Sequence, residues 1–299
     1  MSEIYDLIIL GGGPAGLTAS IYASRAGLNY LLIEKAYPGG QTASATVIDN
    51  YPGLPGISGT ELAEKFSGHA RSMGMKQINE EVLGLDLGED IKIVHTFSGE
   101  YKTRNLLICT GASPRKLGIP GETEFLGKGV SYCAACDGAF FRNRDVVVIG
   151  GGDTALTDVI CLAAICRTVT IVHRREAFRG SPSLQNKLRT FTNIRCLMCA
   201  QPVSINGNGH VESLRIQTSD NTITIPADGV FIAAGIQPNS GLVRGKLDTA
   251  PGGWILTDRQ MRTSISGVYA AGDVRDTPLR QVLTAAADAA VAVEAILST

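Results

Sequence analysis

Charged residues and long apolar runs are both scarce in this sequence of 299 residues. Only 18% of the residues are charged, whereas about a quarter is usual in soluble proteins. The 27 Lys and Arg residues balance 28 Asp and Glu residues to a net charge of −1, which gives no electrostatic reason to bind nucleic acid or an anionic membrane. No uncharged apolar stretch reaches the roughly 18 residues of a membrane-spanning helix. We therefore expect neither a nucleic-acid partner nor a membrane partner.

Cysteine is also sparse, with seven residues in the chain. A low and odd number excludes a small secreted domain held together by disulfides. The N-terminus has no basic segment or cleavage site ahead of its first apolar run, so we expect no secretory signal. These features predict a cytoplasmic enzyme or binding protein. Glycine is abundant instead, at 35 residues against 12 prolines, which indicates many tight turns in a folded chain.

The start of the chain follows the order strand, glycine turn, helix and strand. An apolar run at residues 5–10 leads into Gly11, Gly13 and Gly16, and a second apolar run ends in Glu34. In such a turn the first glycine permits the bend, the second lets a pyrophosphate approach the backbone, and the third packs the helix on the strand. A glutamate after the second strand suits a ribose 2′-hydroxyl and disfavours a 2′-phosphate. The pattern predicts a site for FAD or NAD.

The same unit recurs with the same internal spacing in the middle of the chain. A strand at residues 146–149 precedes a glycine turn at 150–155, and a second strand ends at His173. No acid stands at the position equivalent to Glu34; a basic cluster takes its place, made up of Arg174, Arg175 and Arg179. Because guanidinium forks match a phosphate dianion, this site is predicted to bind NADP-type nucleotides. The alternative is a solvated basic face.

Two Cys-x-x-Cys pairs occur, Cys133 with Cys136 and Cys196 with Cys199. A disulfide needs Cα atoms within about 7 Å, which a helical turn provides for residues three apart and an extended strand does not. The first pair encloses two alanines that suit a helical turn, whereas the second lies in a predicted strand over residues 194–203. We therefore assign redox function to the first pair. A zinc site joining both pairs is disfavoured because the intervening 59 residues exceed the usual spacing of about 15–20.

One carboxylate stands next to the redox pair, that of Asp137. It could pass a proton to or from a thiolate during dithiol exchange; the alternative is an ordinary Asp-Gly turn. The remaining cysteines lie in apolar runs and are predicted to be small core residues: Cys109, Cys161 and Cys166.

Taken together, these motifs resemble the low-molecular-weight thioredoxin reductases over essentially the whole chain. The resemblance rests on the following motifs in order: Gly-Gly-Gly-Pro-Ala-Gly at 11–16, Gly-Gly-Gln at 39–41, Asp-Asn-Tyr-Pro-Gly at 49–53, Thr-Gly-Ala at 110–112, Cys-Ala-Ala-Cys-Asp-Gly at 133–138, Gly-Gly-Gly-Asp-Thr-Ala at 150–155, His-Arg-Arg-Glu-Ala-Phe-Arg at 173–179, Ala-Gly-Asp-Val-Arg-Asp at 271–276 and Arg-Gln-Val at 280–282. The chain departs from the family at Thr157-Asp158, where glutamates are usual, and at Pro182.

The resemblance implies an α/β fold with two Rossmann-like nucleotide-binding domains, each of the three-layer ββα type. It implies that residues 1–113 and 243–299 form a discontinuous FAD-binding domain. Residues 114–242 would form an inserted NADPH-binding domain that carries the redox cysteines. It further implies a homodimer and thioredoxin, or a thioredoxin-like protein, as the partner.

The site residues that follow from the motifs and the resemblance fall into three groups, and none is assigned to a metal. The candidate catalytic residues are Cys133, Cys136 and Asp137. The candidate FAD-binding residues are Gly11, Gly13, Pro14, Ala15, Gly16, Glu34, Gly40, Gln41, Asn50, Thr110, Gly111, Gly272, Asp273, Arg280, Gln281 and Val282. The candidate NADPH-binding residues are Gly152, Asp153, Thr154, His173, Arg174, Arg175 and Arg179.

The implied activity is NADPH-dependent thioredoxin-disulfide reduction. NADPH would reduce FAD, reduced FAD would reduce the disulfide between Cys133 and Cys136, and the dithiol would reduce the partner. The resemblance makes Cys136 the flavin-facing sulfur and Cys133 the sulfur that attacks the partner. Two alternatives stay open at this point: a small-molecule dithiol oxidase and a non-enzymatic redox sensor. A ferredoxin–NADP reductase-like protein is disfavoured because it lacks the Cys-x-x-Cys pair.

Overall fold

The computed structural model describes residues 3–45 and 47–298. The chain divides into two compact units: unit 1 comprises Met1–Ser113 and Gln237–Thr299, and unit 2 comprises Pro114–Ile236. The chain therefore passes between the units twice. Ala112–Pro114 and Ile236–Pro238 pair as a two-stranded ladder. The assignment of a different nucleotide to each domain stays a prediction.

The strands in chain order are β1 Ile4–Leu10, β2 Tyr30–Glu34, β3 Gln77–Asn79, β4 Val82–Leu87, β5 Lys92–Thr96, β6 Glu100–Ile108, β7 Ala112–Pro114, β8 Val130–Ser131, β9 Asp145–Gly150, β10 Thr168–Val172, β11 Ile194–Leu197, β12 Gln201–Gly207, β13 Val211–Gln217, β14 Thr222–Pro226, β15 Gly229–Ala233, β16 Ile236–Pro238 and β17 Val268–Ala270. The helices are α1 Pro14–Arg25, α2 Gly59–Ser72, α3 Ala134–Asp137, α4 Asp153–Ala163, α5 Pro182–Leu188 and α6 Val282–Leu297. Short 3₁₀ turns lie at Gly40–Ser44, Gly138–Phe141, Gly241–Val243 and Gly272–Val274.

Unit 1 is built on a seven-stranded sheet in the order β3-β2-β1-β6-β5-β4, with β17 also paired to β6. Strands β2, β1, β6 and β17 are parallel, and β4 and β5 complete an antiparallel extension. The apolar side chains of β1 are buried on both faces of the sheet, one face under α1 and α6 and the other under residues 242–274. Because Leu10 lies opposite Ile33, the glycine turn after β1 and the end of β2 meet at one edge of the sheet.

Unit 2 has three layers. Its central sheet is parallel in the order β11-β10-β9-β15-β8. An apolar cluster that includes Leu156, Val159 and Leu162 joins one face to α4. A second cluster joins the other face to the antiparallel sheet β12-β13-β14. The predicted α/β fold class is confirmed.

Two predictions about cysteine positions are wrong. Cys161 is exposed, because the buried face of α4 is formed by Leu156, Val159 and Leu162 and Cys161 lies at a different angle around the helix. The strand predicted over residues 194–203 is interrupted, since β11 ends at Leu197 and β12 begins at Gln201. Cys199 lies in the turn between them with φ of 52°.

Residues 3–45 and 47–298 are the part of the chain that the structure describes. In that part of the chain, no helix is long and apolar enough to cross a bilayer. The same residues contain no group of three or more His, Cys, Asp or Glu side chains suited to a metal ion.

Candidate functional site

Cys133 and Cys136 form a disulfide in unit 2, with their Cα atoms 5.3 Å apart. Cys133 is the N-cap residue of α3, and its Sγ accepts a hydrogen bond from the backbone N–H of Cys136 at 3.2 Å. The short helix forms here because the two enclosed alanines have high helix propensity. Both cysteines are half-buried. A sulfur that accepts an N–H bond is stabilised as a thiolate, so the two cysteines are chemically distinct.

Asp137 closes the same helical turn. One carboxylate oxygen, Oδ2, accepts a hydrogen bond from the Ser131 hydroxyl at 2.6 Å, and the other, Oδ1, is buried without a partner among the described residues. Burial raises the pKa of the Asp137 carboxyl above its ordinary value, and the Ser131 hydrogen bond opposes this shift. The Ser131 hydroxyl also accepts from the backbone N–H of Cys133 at 3.0 Å. Ser131 therefore connects both ends of the redox turn, and the sequence analysis did not identify it.

A cleft of about 290 Å³ lies at the edge of the unit 2 sheet where β8, β9 and β15 begin. Its walls combine aromatic and charged side chains: Lys128, Phe140, Phe141, Arg144, His210 and Asp228. Phe140 is 54% exposed. The sequence analysis missed this feature because its residues come from four separate stretches of chain.

The other cysteines form no disulfide: Cys109, Cys161, Cys166, Cys196 and Cys199. Burial raises the pKa of the Cys109 thiol strongly and that of Cys166 to about 11, which keeps both thiols protonated and unreactive. Cys196 and Cys199 are exposed. The predicted redox pair is therefore the pair that is bonded.

The first glycine turn has the close approaches that its sequence predicts. Gly11 has φ of 101°, and a Cβ there would lie 2.5 Å from the Cys109 carbonyl oxygen. A Cβ on Gly16 would lie 1.8 Å from the Gly11 carbonyl oxygen. A Cβ on Gly13 would meet nothing closer than 3.9 Å, so the N-terminal end of α1 is open. Pro14 occupies the first turn of that helix, where its missing N–H is not needed.

Glu34 is fixed beside this turn. Its Oε2 accepts a hydrogen bond from the Gly12 N–H at 2.6 Å, and its Oε1 accepts one from the Ala36 N–H at 2.8 Å. The adjoining Gly39 donates from its N–H to the Gly12 carbonyl at 2.8 Å. Gly40 and Gln41 begin the following 3₁₀ turn and are exposed. The carboxylate is therefore held at the rim of the turn by backbone donors on both of its oxygens.

Thr110 and Gly111 follow β6 at the same edge of the sheet, and both are bonded to Asn239. The Thr110 hydroxyl donates to the Asn239 carbonyl at 2.8 Å. The Asn239 side-chain amide donates to the Thr110 carbonyl at 2.8 Å, and its backbone N–H donates to the Gly111 carbonyl at 2.9 Å. Asn239 was missed by the sequence analysis because it lies 129 positions from Thr110.

Asp273 lies in a 3₁₀ turn beside α6. Burial raises the pKa of its carboxyl to about 6, and the nearby Arg280 charge opposes the shift. The turn is fastened by Asp288, which accepts from the Gly272 N–H at 3.1 Å and from Arg275 Nε at 2.7 Å. The Arg275–Asp288 pair is only 15% and 12% exposed. The sequence motifs do not include Asp288.

Arg280, Gln281 and Val282 begin α6. Gln281 is the N-cap and forms a reciprocal capping box with Thr284. Its Oε1 also accepts from the Asn50 side-chain amide at 2.9 Å, so Asn50 is brought to this helix end. Val282 packs on the small apolar cluster around Leu62.

The second glycine turn, in unit 2, repeats the arrangement of the first. Gly152 is the N-cap of α4, and a Cβ there would meet nothing within 4 Å. A Cβ on Gly151 would lie 2.3 Å from Nδ1 of His173. Asp153 accepts from the Ser181 N–H at 2.6 Å through its Oδ1, and Thr154 is exposed beside it. The turn is therefore open at its helix end and closely packed behind it.

The basic cluster lies at the end of β10, next to this turn. Arg174, Arg175 and Arg179 are exposed, and within the described residues none of them has an ion-pair partner. The Arg179 N–H donates to the Gly151 carbonyl at 2.7 Å, which fixes the loop to the glycine turn. His173 is buried, its Nε2 has no partner within the described chain, and burial lowers its pKa.

Residues 5–290 match the family described as "Pyridine nucleotide-disulphide oxidoreductase", and the chain belongs to that family. It is 42% identical over 293 residues to a thioredoxin reductase of Listeria innocua, which covers 97% of this chain and 92% of the relative. It is 40% identical over 304 residues to a thioredoxin reductase of Bacillus subtilis, covering 99% and 95%. The structure matches that of thioredoxin reductase from Streptococcus pyogenes with a TM-score of 0.92 and 39% identity, over 100% and 98% of the two chains.

Within the pyridine nucleotide-disulphide oxidoreductases, the chain therefore is a member of the low-molecular-weight thioredoxin reductases. This confirms the resemblance drawn from the motifs, the fold with two Rossmann-like domains and the predicted enzyme class of thioredoxin-disulfide reductase. Family membership also implies the use of a flavin and a pyridine nucleotide.

Proposed function

We propose that this chain uses NADPH, bound at the unit 2 glycine turn, and FAD, bound at the unit 1 glycine turn, to reduce thioredoxin or a thioredoxin-like protein through Cys133 and Cys136. The observation that carries the proposal is the disulfide itself, placed on a short helix with one sulfur hydrogen-bonded and a buried carboxyl beside it. When bound, FAD would take a hydride from NADPH and supply two electrons to the disulfide.

The residues of unit 1 fit FAD. The open end of α1 at Gly13 presents backbone N–H groups suited to a pyrophosphate. Glu34 at the rim suits a ribose hydroxyl, and its two backbone hydrogen bonds leave lone pairs free on both oxygens. Asp273 and Arg280 lie together near the start of α6. The buried Nε of Arg280 lacks a partner within the described residues, so a donor is available for an acceptor atom of the cofactor.

The residues of unit 2 fit NADPH. The open end of α4 at Gly152 repeats the phosphate cradle. Three exposed arginines at the end of β10, without carboxylate partners in the described chain, suit the 2′-phosphate: Arg174, Arg175 and Arg179. An acid at this place would repel that phosphate, and none occupies it.

The dithiol step follows from the hydrogen bonds of the redox turn. After reduction, the Cys136 N–H stabilises a thiolate on Cys133. The Cys133 thiolate attacks one sulfur of the partner disulfide, a mixed disulfide forms and the other partner sulfur leaves as a thiolate. Cys136 then attacks Cys133 Sγ, which reforms the disulfide and releases the second partner sulfur. The partner gains two electrons and the chain loses two.

Asp137 acts as a proton donor in this cycle. Because burial raises the pKa of its carboxyl, Asp137 holds a proton at higher pH than an ordinary aspartate. The unpartnered Oδ1 is available to pass that proton to the departing thiolate. Ser131 keeps the carboxyl in place through its bond to Oδ2.

The cleft at the edge of the sheet where β8, β9 and β15 begin combines an exposed aromatic side chain, Phe140, with the basic side chains of Lys128 and Arg144. Aromatic residues ringed by charges are typical of protein-binding surfaces.

We further propose a homodimer in the cytoplasm. Helix α6 exposes an apolar stripe that includes Leu283, Ala287 and Val291, and such a stripe is normally covered by a partner. Five cysteines remain as thiols, which suits a reducing compartment.

Light scattering coupled to gel filtration checks the dimer: Val291→Glu is expected to yield monomer, and a wild-type monomer would contradict the proposal.

Steady-state turnover of purified protein tests the enzyme proposal. NADPH oxidation is followed with oxidised thioredoxin as the electron acceptor. In one parallel assay NADH replaces NADPH as the donor, and in another oxygen replaces thioredoxin as the acceptor. We expect thioredoxin-dependent turnover with NADPH that Cys133→Ser abolishes. Rapid oxygen-dependent turnover without thioredoxin reduction would instead indicate a dithiol oxidase.

A further inference from the structure

Trp254, the single tryptophan of the chain, is set in a turn made by two glycines. Gly252 and Gly253 have φ of 97° and 91°, in the region that favours glycine. The Trp254 carbonyl accepts from the Ala250 N–H at 2.8 Å, and the Gly253 carbonyl accepts from the Ser240 hydroxyl at 2.6 Å. These bonds fix the backbone that carries the indole.

The next residue, Ile255, attaches this turn to the Asp273 loop. The Ile255 N–H donates to the Val274 carbonyl at 3.2 Å, and the Asp276 N–H donates to the Ile255 carbonyl at 2.9 Å. Ile255 is fully buried. Because both backbone groups of Ile255 are bonded to that loop, Trp254 has a fixed position relative to Asp273.

The indole of Trp254 lies under the guanidinium of Arg280. The Arg280 Cζ is 3.8 Å from the ring centroid, within the range of a cation–π interaction, for which tryptophan is the strongest aromatic partner. A long hydrogen bond from Arg280 Nη2 to the Arg275 carbonyl, at 3.5 Å, adds little. Arg280 Nε is buried without a partner within the described residues, and an unpaired buried donor is costly.

We propose that Trp254 is a positioning residue for the flavin, which stacks on Arg280 so that the buried guanidinium N–H meets an acceptor atom of FAD. The inference rests on the proposed FAD site. It adds a role for a residue outside every motif by which the cofactor site was identified. The alternative is that Trp254 only packs its own turn.

The test is a double-mutant cycle on FAD binding, measured by calorimetry on flavin-free protein. Trp254→Leu is expected to weaken FAD binding about 2- to 30-fold, and Arg280→Met about 10- to 100-fold. Because Trp254 acts through Arg280, the double variant should bind FAD like Arg280→Met alone. Trp254→Phe, which keeps an aromatic ring, should recover most of the affinity. Tyr101→Leu serves as a control for the loss of an aromatic ring elsewhere in unit 1.

Two further measurements separate positioning from packing. In the reconstituted proteins, Trp254→Leu and Arg280→Met should shift the flavin absorption bands in the same direction, whereas Trp254→Phe should shift them less. In wild type, FAD titration should quench the tryptophan fluorescence and saturate at one FAD per chain. Additive losses in the cycle, or unshifted bands in Trp254→Leu, would overturn the inference.

The outcomes also distinguish this inference from the function on which it rests. Wild-type protein that binds no FAD would contradict the proposed function itself. Urea unfolding of each flavin-free variant reports whether it is folded. If Trp254→Leu does not fold, the double-mutant cycle is measured with Trp254→Phe and Trp254→Tyr, for which smaller losses of FAD affinity are expected. Additive losses of affinity in those variants would overturn the inference equally.

Discussion

Hydrogen bonding distinguishes the two cysteines of the disulfide, although both flank the same pair of alanines. Cys133 Sγ accepts an N–H bond, whereas Cys136 is followed directly by the buried carboxyl of Asp137. The first arrangement stabilises a thiolate, and the second supplies a proton. At the scale of the residue, this asymmetry supports Cys133 as the sulfur that attacks the partner.

Cys136→Ser should abolish disulfide reduction and leave flavin reduction by NADPH intact, because hydride transfer between the cofactors does not require the thiols. Stopped-flow absorbance of the flavin under anaerobic conditions measures its reduction by NADPH. A thioredoxin assay then measures disulfide reduction. The matched control replaces the other Cys-x-x-Cys pair, Cys196 and Cys199, with alanine. That variant should keep turnover within a few-fold, and its loss in a folded protein would show that the pairs were assigned wrongly.

Asp158 gives a pH-dependent prediction. It lies half-buried on α4 without a partner among the described residues, and burial raises the pKa of its carboxyl to about 7. The folded protein then holds a proton that the unfolded chain releases near pH 4, so this group lowers stability as pH rises from about 4 to about 7. A shift of about three units corresponds to about 4 kcal/mol; partial exposure reduces this to about 2 kcal/mol.

Asp158→Asn should therefore raise the free energy of unfolding by about 2 kcal/mol near pH 8. Near pH 3, below the pKa of the carboxyl in both the folded and the unfolded state, the variant should match wild type. Urea unfolding at the two pH values measures the difference. An equal gain at both pH values would mean that the amide acts by packing or hydrogen bonding and not by removing the charge.

The element that we propose to set nucleotide choice is the loop after β10. It is tied to the glycine turn by the Arg179 N–H and presents three arginines to solvent. A hydrogen bond to a charged group contributes about 1.5–3 kcal/mol. Loss of one guanidinium should therefore weaken NADPH binding about 10- to 100-fold. NADH lacks the 2′-phosphate and should be nearly unaffected.

The double variant Arg174→Ala with Arg175→Ala should thus lose most of the preference for NADPH. The loss is expected because kcat/KM for NADPH falls, and not because kcat/KM for NADH rises. Measuring kcat/KM for both nucleotides on wild type and variant checks this. Equal use of both by wild type would make the cluster a solvated basic face.

Helix α6 shows how an element can serve packing and the site together. Its buried small residues, among them Ala289 and Ala292, pack in the same core cluster as α1. Its first turn carries the capping box of Gln281, and Asp288 holds the Gly272–Val274 turn. The positions of Asp273 and Gln281 therefore both depend on this one helix.

At the scale of the whole molecule, unit 1 alone contains the residues proposed for FAD. We expect purified protein to be yellow, with one FAD per chain. Bound FAD favours the folded state by about 2.7 kcal/mol at a hundredfold excess over Kd, so removing it should lower the Tm. Absorbance and calorimetry before and after flavin removal measure both effects. A colourless protein that also rejects added FAD would contradict the proposal.

Features that depend on short stretches of chain could be predicted from the amino-acid sequence. Two strand–glycine turn–helix units and the alanine-spaced cysteine pair were predicted correctly, because glycine sterics and helix propensity act between near neighbours. The ordered motifs also identified the family.

The distant residues that support these motifs became visible only in the folded chain. Asn239 reaches Thr110 across 129 positions, and Trp254 meets Arg280 through a turn with no motif of its own. Cys161 is exposed despite its apolar neighbours, because the angle around α4 decides burial and composition does not. Such contacts depend on how sheets and helices pack. A single sequence carries no local pattern for them.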